Sequence, residues 1–266
     1  MKTKIFFCLL SLWLVTALCM ANPRTINGNG KIVTKVIPIT AYEEISLVGS
    51  PDFEYTQSDA APYLELTIDE NLVPYVVIEI EGHTLSVYPK REGGHGPSYQ
   101  LKPTRFYIKS NSEILKDCTI AGSASLRVTS PLKVTKLEGS VAGSGGIYFE
   151  KIVSGRKAEF NVAGSGEIEA RDIQTENLEC SVAGSGEIKL KGKVPRVSYS
   201  VAGSGELHGF ECKATNAECS VAGSGTIEVY AVDQLDASVA SSGDIRYRGN
   251  PNVSKSIVGS GSIKKD

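Results

Sequence analysis

The apolar positions of residues 116–266 alternate with polar ones and recur about every 20 residues, a period typical of solenoid proteins. A seven-residue motif, with an aliphatic residue at each end and a small Ala-Gly-Ser-Gly centre, occurs eight times in varied form. In a solenoid each repeat packs only on its neighbours. The spacing is nearly constant, since the copies begin at Ile120, Val141, Val162, Val182, Val201, Val221, Val239 and Ile257.

The alternation on both sides of the motif predicts β-strands with one buried face. In the fourth copy, Leu178 and Cys180 are the apolar positions before the motif. After it, Ile188 and Leu190 are apolar and Lys189 between them is charged. Each repeat is therefore predicted to be a strand, a corner, a second strand and a variable return.

Backbone geometry explains the glycines at the corners. A chain that turns within about four residues needs a positive φ or a close backbone approach, and glycine permits both. Stacked rungs pair as parallel strands about 4.8 Å apart, so a larger corner residue would collide with its copy in the next rung. We therefore predict an all-β solenoid of about eight rungs, in which Gly184 and Gly186 resist replacement.

Residues 22–115 are predicted to form an N-terminal β section that caps the solenoid, because an open end would pair with other strands. This section holds a degenerate copy of the corner around Gly49, and its Glu81-Gly82 pair suits a hairpin turn. Strand-like runs lie at Tyr63–Ile68, Val76–Ile80, Thr84–Tyr88 and Arg105–Lys109, and a loop bearing Gly and Pro lies at Arg91–Lys102.

At these segments the chain resembles the head GIN domain family of auto-transporter-type bacterial adhesins. The resemblance covers roughly residues 30–263. It rests on the segment at Gly49, the hairpin Val76–Tyr88, the strand Arg105–Lys109 leading into Ile120, and the reiterated Gly-Ser-Gly-Glu-Ile corners. It implies a right-handed parallel β-helix on the cell envelope. It carries over no catalytic or binding residues.

Residues 1–21 predict a signal peptide. Two lysines precede the apolar stretch Ile5–Leu18, and Cys19-Met20-Ala21 offers small residues for cleavage before Asn22. The stretch is shorter than the roughly 20 residues that cross a bilayer. A leucine precedes Cys19, which fits lipidation poorly. We therefore expect an exported protein, in the periplasm or on the cell surface, with no lipid anchor and no membrane span in the mature chain.

Net charge argues against nucleic acid as a partner. The chain has a formal charge of −2, and removal of the two lysines of the signal peptide makes it −4. Proteins that bind phosphate backbones concentrate Lys and Arg on one face.

Four cysteines remain after cleavage, and we expect small buried thiols rather than disulfides. Cys118, Cys180 and Cys219 share one inward column. Cys180 and Cys219 are two rungs apart, or about 10 Å, which is beyond disulfide reach. Cys212 is the one cysteine placed to pair with a neighbour.

No catalytic residue, metal site or cofactor is predicted. His83, His95 and His208 lie far apart in the sequence without metal-ligand spacing. No Lys and no helix follow the Gly-Ser-Gly corners, as they would in a phosphate-binding loop. One outward column carries mixed charges, as solvated faces do; it comprises Arg127, Tyr148, Glu169, Lys189, His208, Glu228, Arg246 and Lys264.

One candidate binding feature is a ladder of like charges. Glu167, Glu187 and Glu206 hold the same corner position in three consecutive rungs, between the uncharged Gly146 and Thr226. Their backbones should stack about 4.8 Å apart. The side chains either splay into solvent or collect a divalent cation such as calcium, or a basic partner.

The predicted function is a non-catalytic, adhesin-like envelope protein that binds a surface glycan or protein through its solenoid faces. A polysaccharide-active enzyme of the same fold and a purely structural spacer are the alternatives. Enzymes of this kind use clustered Asp with Lys or Arg on one face, and no such cluster recurs along the chain.

Overall fold

The computed structural model describes residues 23–96 and 98–266. The predicted signal peptide and its cleavage site before Asn22 lie outside these residues. The described chain is nearly all β, with 72% strand and 4% helix, and winds into a solenoid of about seven turns with roughly 20 residues per turn. The predicted fold class is confirmed. No helix among the described residues has the length and apolar character needed to span a bilayer.

The described chain forms 22 strands and two short 3-10 helices, Glu70–Tyr75 and Glu92–Gly94. In chain order the strands are β1 Thr25–Asn27, β2 Ile32–Pro38, β3 Glu44–Gly49, β4 Asp52–Gln57, β5 Tyr63–Asp69, β6 Val76–Glu81, β7 Thr84–Pro89, β8 Gln100–Lys102, β9 Phe106–Ser112, β10 Asp117–Gly122, β11 Ser125–Val128, β12 Leu132–Gly143, β13 Gly146–Phe149, β14 Ile152–Gly164, β15 Glu167–Gln174, β16 Asn177–Gly184, β17 Glu187–Gly203, β18 Glu206–Gly223, β19 Thr226–Ser241, β20 Asp244–Arg248, β21 Asn252–Gly259 and β22 Ser262–Lys265.

All eight predicted corners stack in one column. The strands that lead into them pair in parallel and in register, from β10 through β12, β14, β16, β17, β18 and β19 to β21. The degenerate corner at Gly49 extends the column, because β3 pairs with β10 and Gly49 is opposite Gly122. Parallel register on both sides of each corner keeps equivalent side chains in straight columns.

Six of the eight corners carry two glycines, and Ala124 takes the second glycine position in the corner that begins at Ile120. Gly184 has a φ of +120°, which side chains rarely tolerate. A Cβ on Gly186 would lie 2.4 Å from Cγ1 of Val162 in the neighbouring rung. A Cβ on Gly184 would also lie 2.6 Å from the carbonyl oxygen of Gly164, so the first requirement is both conformational and steric, and the second is steric. The corner that begins at Val239 departs from the pattern, since Ser241 occupies the positive-φ position with a φ of +94°.

The interior of the solenoid is filled by inward columns of apolar side chains. Val182 is fully buried between its copies Val162 and Val201. Cys180 and Cys219 lie in one column with Tyr199 between them, so two rungs separate the thiols as predicted. All four described cysteines, including Cys212 and Cys118, are buried and free.

The N-terminal section continues the stack and then covers it. On one side, β7 pairs with β3 and forms an antiparallel hairpin with β6; the turn is at Gly82 and His83, one residue after the predicted Glu81-Gly82 pair. On the other side, β9 pairs with β4, followed by β5 and β2 in antiparallel order. The segment predicted as the loop Arg91–Lys102 ends in β8, which pairs with β1. The domain boundary at residue 115 remains a prediction, and the sheet runs across it from β3 to β10.

Candidate functional site

The outward side chains after the corners form two adjacent columns. The eight mixed-charge residues predicted from the sequence pair rung by rung from Arg127 to Lys264, and are named here the mixed column. Beside it, Glu167, Glu187 and Glu206 are direct neighbours in the sheet, and are named the Glu ladder. Gly146 and Thr226 flank the ladder, as predicted.

The three glutamates of the ladder have different partners. Glu167 accepts a hydrogen bond from Tyr148; burial first and this bond second raise the pKa of Tyr148 to about 12. Glu187 forms an ion pair through Oε2 with Lys189, at 2.8 Å. The ladder is therefore not three equivalent carboxylates in solvent, because its first two members are engaged by the mixed column.

His208 links the ladder to the mixed column. Its Nε2 lies 2.9 Å from Oε1 of Glu187 and 3.2 Å from Oε2 of Glu206. Its Nδ1 lies 2.9 Å from Oε2 of Glu228, on the next rung. Arg246 holds the other oxygen of Glu228 at 2.5 Å. These contacts place one imidazole among three carboxylates from three consecutive rungs; the group Glu187, Glu206, His208 and Glu228 is named the His208 cluster.

A groove of about 670 Å³ opens beside the His208 cluster. The pairing of β17 with β18 shifts between Lys189 and Lys191, and Phe210 lies in the resulting bulge. Arg248 covers the Phe210 ring with its guanidinium 4.0 Å from the ring centroid. The bulge re-aims side chains locally, as bulges do at the edges of binding sites. Lining residues of the groove include Glu169, Lys189, Lys191, Phe210, Glu211 and Arg248.

The sequence predicts the Glu ladder but not the contact of His208 with it. The three histidines are far apart along the chain, yet the carboxylate neighbours of His208 come from the adjoining rungs of the solenoid. The spacing of the repeat nevertheless indicates this contact. Glu206 and His208 are two positions apart on the same strand, and in-register stacking places Glu206 beside Glu187 and His208 beside Glu228.

The repeating small-residue corner, the filled interior and the long charged face define a parallel β-solenoid protein. The chain belongs to the family described as "Putative auto-transporter adhesin, head GIN domain", which matches residues 41–251. The family resemblance read from the corners is thus confirmed. None of the curated proteins matches the chain.

Three crystal structures share the fold and a substantial part of the sequence. A protein from Parabacteroides distasonis described as a "putative lipid binding protein" is 53% identical, with a TM-score of 0.89 over 91% of this chain and 100% of that one. A "putative adhesin" from Parabacteroides merdae is 33% identical, with a TM-score of 0.84 over 91% of this chain and 99% of that one. A second "putative adhesin", from Parabacteroides distasonis, is 32% identical, with a TM-score of 0.83 over 91% and 100%.

Proposed function

We propose that this protein is exported and binds a cell-surface or envelope glycan through the mixed column and its groove. The observation that carries the proposal is the ordered face itself, on which acidic, basic and aromatic side chains line a groove along successive rungs. Family membership supports binding rather than catalysis, and supports export.

The chemistry of the groove suits a ligand rich in hydroxyl groups. Each sugar hydroxyl both donates and accepts hydrogen bonds, and the groove offers ammonium and guanidinium donors beside carboxylate acceptors. Lys191 and Glu211 are an example, with Nζ and Oε2 3.0 Å apart and both side chains well exposed. Exposed ion pairs of this kind contribute little to stability, so a ligand can replace their partners at low cost.

A glycan and envelope-polymer array on the purified protein tests this proposal. Lys189→Gln combined with Arg248→Gln should abolish the signal of any glycan that the wild type retains. Arg196→Gln is the matched control, because Arg196 lies on the strands that precede the corners, outside the groove. Equal glycan binding by wild type and the double variant, or binding only to envelope proteins on the same array, would refute a glycan groove.

Two further measurements accompany the array. Mass spectrometry of bound glycans should find intact chains, whereas shortened products would favour the polysaccharide-active alternative. Fractionation of expressing cells, followed by N-terminal sequencing, should find a mature protein that begins at Asn22 outside the cytoplasm. A full-length chain in the cytoplasm would contradict export.

A lipid is the second candidate ligand. The 53% identical relative is described as lipid binding. In this chain Val36 and Tyr63, on adjacent strands β2 and β5, lie diagonally on one face of the sheet and are 69% and 43% exposed. Co-flotation with neutral phosphatidylcholine vesicles should be lost in Val36→Asp if this apolar strip binds lipid. If the wild-type protein does not float with the vesicles, lipid binding is excluded.

A further inference from the structure

The His208 cluster combines nitrogen and oxygen donors at one point. Within the described residues, Glu187, Glu206 and His208 form a group of His, Cys, Asp or Glu whose donor atoms all lie within 4.8 Å of one another. They come from two neighbouring rungs whose backbones pair in register at Glu187 and Glu206. The backbone hydrogen bonds between β17 and β18 fix the spacing of these positions, and no loop residue contributes to the group.

Both ring nitrogens of His208 face carboxylate oxygens. A neutral imidazole carries one N–H, and if Nδ1 donates it to Glu228, the lone pair of Nε2 is directed at the carboxylates. A lone pair 2.9 Å and 3.2 Å from two anionic oxygens is repelled unless a cation lies between them. A metal ion held by Nε2 and the two carboxylates fits this arrangement.

We propose that Glu187, Glu206 and His208 bind a divalent transition-metal ion such as zinc. Zinc binds imidazole nitrogen and carboxylate oxygen at roughly 2.0–2.2 Å, so two of its ligands are about 2.8–3.1 Å apart at right angles and about 3.3–3.6 Å apart in a tetrahedral arrangement. The observed separations from Nε2 to the two carboxylates, 2.9 Å and 3.2 Å, run from the right-angled value to just short of the tetrahedral one. An imidazole ligand favours zinc and its neighbours over calcium, which takes oxygen ligands.

The surrounding residues fit the role of supports for metal ligands. Metal-bound histidines commonly donate their other N–H to a carboxylate, which fixes the tautomer. Glu228 is in this position and is itself held by Arg246, with only 14% of its side chain exposed. Lys189 engages Oε2 of Glu187, which leaves the Oε1 oxygen facing His208 for a metal. Glu228 is therefore a positioning residue.

Calorimetric titration of the purified protein with zinc chloride at neutral pH tests the site. We expect one zinc ion per chain. His208→Gln and Glu206→Gln should each weaken zinc binding at least tenfold, and Glu228→Gln should weaken it about 10- to 100-fold, as loss of a supporting carboxylate does. Glu167→Gln is the matched control, because Glu167 belongs to the same ladder but is bound to Tyr148, and it should leave zinc affinity unchanged.

Three outcomes would overturn the site. The absence of zinc heats from wild type would exclude a zinc site at these three residues. Equal zinc affinity for wild type and His208→Gln would exclude the imidazole as a ligand. Loss of zinc binding in Glu167→Gln with retention in His208→Gln would favour a plain acidic ladder. Circular dichroism of each variant without metal checks that it is folded, and no glycan is used, so the result is separate from the test of the groove.

Discussion

Ser241 occupies a backbone position that every other corner of the described stack gives to glycine. Its φ is +94°, and the equivalent residues Gly223 and Gly259, on the rungs before and after it, have φ values of +129° and +121°. Its carbonyl accepts hydrogen bonds from Ser260 and Gly261, which are backbone interactions that glycine would keep. Ser241→Gly should therefore relieve strain without removing these bonds, and stabilise the protein.

The expected gain is the difference between two opposing effects. Holding a residue other than glycine in a sparsely populated backbone region costs on the order of 1–3 kcal/mol. Glycine loses more chain entropy on folding, roughly 0.5–1 kcal/mol relative to alanine. The net stabilisation is about 1 kcal/mol, which corresponds to about 2–4 °C in melting temperature for a chain of this size.

The effect is measured from the melting temperature and the urea midpoint of three variants, Ser241→Gly, Ser242→Gly and Gly223→Ser. Ser242 is the adjacent residue and lies outside the positive-φ region, so its replacement by glycine should only bring the entropic loss. Gly223→Ser should destabilise, because a Cβ there would lie 2.3 Å from the carbonyl oxygen of Gly203. If Ser241→Gly is no more stable than Ser242→Gly, the conformational reason given for the corner glycines is wrong.

Three further predictions concern the interior. Val182→Lys would bury an unpaired charge and should cost several kcal/mol, visible as a large drop in melting temperature; an unchanged melting curve would refute the inward assignment. Gly186→Val should lower the urea midpoint by more than the roughly 1 kcal/mol of a generic glycine change, since the new side chain meets Val162. The described thiols should not react with a thiol reagent at mildly alkaline pH until guanidinium is added, because burial raises their pKa values, to about 11 for Cys212; rapid labelling of folded protein would contradict this.

The architecture could be predicted because the same physical requirement recurs at each rung. A single alternating segment is ambiguous, but eight copies of one corner at nearly constant spacing allow only stacked strands. The inward position of Val182 and the separation of Cys180 from Cys219 then follow from counting rungs. The antiparallel order of β2, β5 and β9 could not be derived in this way, since these three segments carry no copy of the repeat and their pairing depends on tertiary contacts.

The candidate site was only half predictable for a related reason. The positions of the Glu ladder follow from backbone register, which the repeat determines. The contacts of the Glu ladder depend instead on the direction of each side chain. Glu167 contacts Tyr148, whereas Glu187 and Glu206 both contact His208. The bulge at Phe210 also escapes prediction, because a small change in the length of the return segment shows only as a slightly different step between motifs.

The division between inward and outward columns explains how such a face can specialise. An outward side chain contacts its neighbours in the column and solvent, so its replacement usually changes stability by less than about 0.5 kcal/mol. Inward residues and corner glycines meet their copies in adjacent rungs, and are constrained by packing. Relatives at 53% and 32% identity accordingly keep TM-scores of 0.89 and 0.83. Binding chemistry should therefore be sought where a rung departs from the repeat, and His208 with the Phe210 bulge is such a place in this chain.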